Sequence, residues 1–285
     1  MALPTVDRRC FVLHGNRAPD GVLSGGTWAL PLDNLLLPTL KEDVARCTTG
    51  ALADAVFALA LPKVLTVGAL AVVDHTLPAG AKVRLTWRRG GAVVGPAPVW
   101  QPAFPRTART RDLSYDDAGW WTGRPSAALR AVYTSTLLAV PDARLRADSV
   151  TVELDSRGAA FDLSYLFVSP LFRPDWPMAW GRELSADSRT LTDTTPGGRV
   201  VAGRRRPQRR QRVAFEDLTK AEAMRWLDIA LVQDVVEPLL FVPDPGDTLN
   251  FWREVFLARL TRLVSITEKD DGYYRAVIEI EEILA

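Results

Sequence analysis

Histidine and cysteine are scarce in this chain of 285 residues, with two of each: His14 and His75, Cys10 and Cys47. No Cys-x-x-Cys or His-x-x-x-His spacing occurs, so no metal motif is written here. Two cysteines are too few for a disulfide-stapled secreted domain, and they favour a reducing interior. The opening residues MALPTVDRRCFVL lack a positive region followed by a long apolar core, so no signal peptide is expected. No apolar run approaches the roughly 20 residues needed to span a bilayer, so no membrane insertion is expected.

The familiar chemical signatures are missing too. There is no GxSxG elbow, no GxxxxGK phosphate loop and no GxGxxG turn opening a helix. The Gly-Gly pairs at 25–26, 90–91 and 197–198 read as turns. Paired carboxylates at Asp116-Asp117 and Asp270-Asp271 sit in turn-like contexts, where solvated turns are the plain reading. His75, in VVDHTL, reads as a loop histidine at a strand end. The expectation is therefore a non-enzyme with no catalytic, cofactor-binding or metal residues and no cofactor.

Charge of one sign is also lacking overall: 35 Lys and Arg face 34 Asp and Glu. Yet six arginines fall within the stretch GRRRPQRRQR: Arg204, Arg205, Arg206, Arg209, Arg210 and Arg212. Without those six of the 35, 29 basic residues face 34 acidic ones, so the remainder is mildly acidic. A dedicated nucleic-acid binder carries a wider basic surplus, and no aromatic interleaving surrounds the run, so nucleic acid is disfavoured as a partner. Near the C-terminus Glu268, Asp270, Asp271, Glu279, Glu281 and Glu282 outnumber Lys269 and Arg275. A basic loop and an acidic strand on one chain suggest head-to-tail contact between copies, with Glu279 and Glu281 opposite the arginines. A solvated loop without a fixed partner is the competing reading.

What the chain does have is hydrophobic substance, 47% of residues, and nine tryptophans. From about 55 to 170 the pattern is β. Val83, Leu85 and Trp87 alternate with polar neighbours, as do Val150, Val152 and Leu154. VLTVGALAVV, 64–73, reads as one strand buried on both faces, and DLSYLFVS, 162–169, as another. Gly/Pro turns between them indicate an antiparallel sandwich. PLFRPDWPMAW, 170–180, holds three prolines and reads as a connector. This places a boundary near Arg173, giving domains 1–173 and 174–285. In the second, Thr219 and Glu222 form a capping box. The box is followed by a helical stripe of Ala223, Trp226, Leu227, Ala230 and Leu231. Strands are expected at 212–215, 238–242, 251–263 and 273–284, which makes this part α+β. Trp120-Trp121 cannot both point one way in an extended chain. One caps the core, anchors an interface or stacks on a sugar.

WALPLDNLLLPTLKEDVAR (28–46), VFALALPKVLTVGALAVVDHTLPAGAKVRLTW (56–87) and DLSYLFVSPLFRP (162–174) together resemble discoidin-like jelly rolls in tail proteins of long-tailed bacteriophages. The C-terminal part is similar to the small barrel-plus-helix domains of tail and baseplate proteins. His75-Thr76 stands where that pattern has His-Asn. The resemblance implies a mainly β virion protein made in the host cytoplasm. Such a protein would be built in several copies into a tail tip or baseplate, with copies of itself and other tail proteins as partners. It also implies carbohydrate binding, with glycans as an alternative partner, but it carries over no sugar-binding residue; Trp120 and Trp121 are the aromatic contact read from the residues themselves.

Overall fold

The computed structural model describes residues 9–104, 115, 120, 132–141, 144–194, 197–203, 205–269 and 272–284. The chain is mainly β, as expected. The first strands are β1 (Phe11–Leu13), β2 (Val22–Ser24), β3 (Ala45–Cys47), β4 (Val56–Val67), β5 (Ala69–His75) and β6 (Lys82–Arg89). Then come β7 (Ala92–Val94), β8 (Gln101–Pro102), β9 (Thr136–Ala139), β10 (Leu145–Asp155), β11 (Phe161–Ser169) and β12 (Leu171–Phe172). Next are β13 (Glu183–Asp187), β14 (Leu191–Thr194), β15 (Val200–Gly203), β16 (Gln208–Leu218), helix α1 (Lys220–Gln233) and β17 (Leu239–Val242). The short helix α2 (Phe251–Glu254), β18 (Leu257–Leu260), β19 (Ser265–Glu268) and β20 (Tyr274–Glu282) complete the order. No helix among the described residues is long and apolar enough to cross a membrane.

Two compact units result. One holds 1–173 with 240–256 and 285; the other holds 174–239 and 257–284. The first is an antiparallel sandwich. One sheet runs β2-β4-β10-β6-β7 with β8 on β6, the other β3-β11-β5-β9. Their facing side chains form one core: Phe57, Leu59, Val83, Val150, Val152 and Leu154 from one sheet, Leu70, Val72, Leu137, Leu163 and Val168 from the other. In the same unit β1 lies between β12 and β17.

The apolar run 64–73 is not one strand. Residues 64–67 finish β4 in the first sheet, and 69–73 open β5 in the second. Gly68 turns this corner because a Cβ there would overlap Leu171. Asp74 adopts φ 56°, which breaks the alternation of β5. Val72 therefore faces the core, and three residues later His75 pairs with Leu163, also a core residue. His75 is thus buried at 3% exposure, edge-on to Phe104 at 4.9 Å. Burial pushes its pKa down to about 3. The expectation of a loop histidine is corrected by this shift of phase.

In the second unit β18, β20, β16 and β13 lie side by side, with β19 also on β20. Helix α1 carries the expected capping box: the Thr219 hydroxyl accepts from the Glu222 amide, and the Glu222 carboxylate accepts from the Thr219 amide. Its buried stripe is Ala223, Trp226, Ile229, Ala230 and Gln233. The expected Leu227 is only half-buried and Leu231 is exposed, because the stripe turns toward Phe215, 5.3 Å from Trp226 between ring centres. Residues 251–263, expected as one strand, are the single turn α2 followed by β18. The amides of Leu249 and Asn250 donate to the Asp247 carboxylate, which bends the chain into that turn.

Candidate functional site

The arginine run begins strand β16, and β16 lies antiparallel to β20 with Arg210 opposite Glu281 and Arg212 opposite Glu279. Alternation sorts the run into two sets. Arg210 and Arg212 point outward with Glu279 and Glu281. Arg210 meets Glu281 at 3.3 Å and Asp187 at 2.7 Å, and Arg212 meets Glu279 at 3.2 Å. Arg259 and Arg262 reach the same two glutamates, each at 2.8 Å. Glu279 and Glu281 each sit between two arginines, so the face is a ladder of both signs. It borders a groove of about 910 Å³ that also takes in Glu183 and Val235.

Arg209 points inward. So does Glu282, the last residue of the stripe Tyr274, Ala276, Ile278 and Ile280. Glu282 is 1% exposed, with the guanidinium nitrogens of Arg206 and of Arg209 donating to it at 2.8 Å. The Gln208 amide donates to the Glu282 carbonyl at 2.7 Å. Burial pushes the carboxyl upward, but the hydrogen bonds and charges of Arg209 and Arg206 outweigh it and hold it below its ordinary value.

The pairing expected between copies is therefore made within one chain, for Arg206, Arg209, Arg210 and Arg212 alike. The reason is register: β16 and β20 set opposite charges across from each other within the chain. Arg205 is exposed, and Arg204 lies outside the described residues. Glu282 belonged to the acidic stretch read from sequence, but its burial was missed. The signal was its place two residues beyond Ile280 in a period-two stripe.

Trp120 is half-buried, with Tyr115 edge-on at 5.8 Å, and Tyr115 is largely exposed. Trp121 and both carboxylate pairs, Asp116-Asp117 and Asp270-Asp271, lie outside the described residues. Among those described, no group of three or more His, Cys, Asp or Glu is placed to hold a metal ion.

Sequence reasoning also missed how much apolar surface the second unit shows. Trp176, Trp180, Leu184, Leu191, Val200 and Val201 are exposed along 174–203, with Trp180 fully so. All described residues of β13, β14 and β15 are exposed.

No protein-family model and no curated protein matches the chain. Solved structures similar to it include the CBM32-1 module of a family 31 glycoside hydrolase from Clostridium perfringens. That match has 8% identity, covers 55% of this chain and 99% of the module, and has a TM-score of 0.34. A fucose binding module of Streptococcus pneumoniae matches at 12% identity, 55% and 95% coverage and a TM-score of 0.35. A striped bass serum fucolectin, from Morone saxatilis, matches at 10% identity, 95% and 99% coverage and a TM-score of 0.31. These likenesses, at 8–12% identity and TM-scores of 0.31–0.35, define neither the family nor the function of the chain.

Proposed function

We propose that this chain is a non-catalytic assembly protein that works by contact with further copies of itself and with other proteins. Its proposed setting is the virion, in the tail tip or baseplate of a long-tailed phage, after synthesis in the host cytoplasm. The observation that carries the assembly reading is the exposed apolar surface of 174–203, with two tryptophans and four aliphatic side chains outside any core. Surfaces of that kind mark contacts with other proteins, and tryptophan is the residue most enriched at their centres. The phage setting rests on the sequence resemblance alone. The test is mass by light scattering over a range of concentrations. A protein that stays monomeric at every concentration, alone and with tail proteins, overturns the reading.

A second reading, glycan binding by the first unit, is favoured by one observation: the exposed Tyr115 ring set edge-on against Trp120. Aromatic faces of this kind stack on sugar rings. Titration with a glycan panel should change tryptophan fluorescence, and Trp120→Ala should abolish the change. No response to any sugar in the wild type removes this second reading.

A further inference from the structure

The sandwich of the first unit is open along one seam. Strand β9 is the edge of its sheet and pairs only with β5; β8 lies at the edge of the other sheet and pairs only with β6. Two adjoining hollows run along this seam. One, of about 460 Å³, extends to Pro245, Thr248 and Phe251, and the other, of about 180 Å³, extends to Trp87 and Pro141. Val83, Gln101, Ala139 and Val140 line both, so the two form one trough.

The trough follows the strands. One wall is residues 136–141, the other comes from 96–104, and the floor is Val83, Leu85 and Trp87 of β6. These three share one face of β6 and span about 13 Å at ~3.3 Å per residue. Val83 and Trp87 belong to the core, so the trough is elongated and reaches inside the sandwich. No described residue lining it carries a charge, and its polar side chains are Gln101, Thr136 and Thr248. An ion would be desolvated there without a partner, and a sugar would leave most of its hydroxyls unpaired. An aliphatic chain has no such cost. In the larger hollow, Thr136 is 5% exposed and its hydroxyl has no hydrogen-bond partner. A buried hydroxyl of this kind calls for one polar group on whatever occupies the site.

We propose that the seam is a binding site for a single aliphatic chain ending in an uncharged hydroxyl or carbonyl group. The chain lies over Val83, Leu85 and Trp87, and its polar end meets Thr136. Shape selects a linear ligand, and the uncharged lining selects a neutral one. The inference depends on neither the assembly reading nor the glycan reading.

The test titrates the full chain with straight-chain alcohols from 1-hexanol to 1-decanol, and with decanoate as the charged counterpart. Methyl NMR reads the site directly. Saturable shifts should appear at Leu137, Leu138 and Val140, with affinity rising about fourfold per added methylene. Decanoate should bind about tenfold or more weakly than 1-decanol. Thr136→Val should weaken 1-decanol about two- to tenfold, the worth of one hydrogen bond. Ala139→Phe fills the junction of the two hollows and should abolish 1-decanol binding, with circular dichroism verifying the fold. No saturable shift in the wild type, or shifts only at other methyl groups, overturns the site. Affinity that does not grow with chain length overturns the aliphatic occupant in favour of an inserted side chain of another protein. Decanoate binding as tightly as 1-decanol, or a Thr136→Val variant with unchanged affinity, overturns the neutral polar end at Thr136.

Discussion

Glu282→Gln tests whether burial decides the worth of an ion pair on this sheet. The substitution keeps the shape of Glu282 and removes its charge. Arg209, with its side chain 9% exposed, is then left facing a neutral amide. Removing one partner of a buried pair costs about 3–5 kcal/mol, because the remaining charge is desolvated without compensation. Glu279→Gln is the control. Its partner Arg212 is 58% exposed and remains in water, so the expected cost is about 0–1 kcal/mol. The two glutamates lie on one strand, three residues apart, and differ chiefly in burial. Hydrogen exchange of β16 and β20 amides reads the second unit separately from the first. Protection should fall by about two to three and a half orders of magnitude for Glu282→Gln and by less than one for Glu279→Gln, since about 1.4 kcal/mol is tenfold. The double change Arg209→Leu, Glu282→Leu should recover most of the loss, as apolar replacement of a buried pair is about neutral. Equal, small effects of the two single changes would refute the reasoning. pH gives a second handle. The Glu282 carboxyl is held below its ordinary value of 4.5, so its contribution is full above that pH and fades as pH falls through the folded value.

Three further outcomes follow from the same structure. His75 titrates at about 3 when folded and at 6.5 ordinarily, so its contribution is complete above pH 6.5 and is lost progressively as pH falls toward 3. By pH 5 the loss is about 2 kcal/mol at ~1.4 kcal/mol per unit, and urea unfolding of His75→Phe should lack this one-proton slope. Gly68→Ala places a methyl group against the Cβ and amide of Leu171, and overpacking of this kind should lower the urea stability of the first unit by about 1–3 kcal/mol. Thr219→Ala removes the hydroxyl half of the capping box and should cost about 1 kcal/mol, read as faster exchange of the first-turn amides of α1.

Local chemistry was legible in the sequence, and long-range phase was not. The capping box at Thr219 and Glu222 lies within four residues, and helix α1 begins where it says. The alternation of Val150, Val152 and Leu154 needed no partner to be read, and all three are core residues. VLTVGALAVV misled because an unbroken apolar run looks the same whether it stays in one sheet or crosses to another. Only Gly68 marked the corner, and its meaning depends on Leu171, a hundred residues away. Residues 251–263 misled because Phe251, Trp252 and Val255 suit a strand, while the Asp247 carboxylate that starts the turn was not weighed. The arginine run shows the same limit most sharply. Sequence identified the opposed charges but could not say whether they meet within a chain or between chains, because that turns on the register of β16 against β20. A slip of one residue would bring Glu281 inward and Glu282 to the surface, exchanging a buried salt bridge for a rung of the exposed ladder. With the ladder satisfied inside one chain, its opposed charges give no ground for a contact between copies. The apolar surface that composition could not reveal lies elsewhere, in the exposed side chains of β14 and β15 and at the aliphatic end of α1.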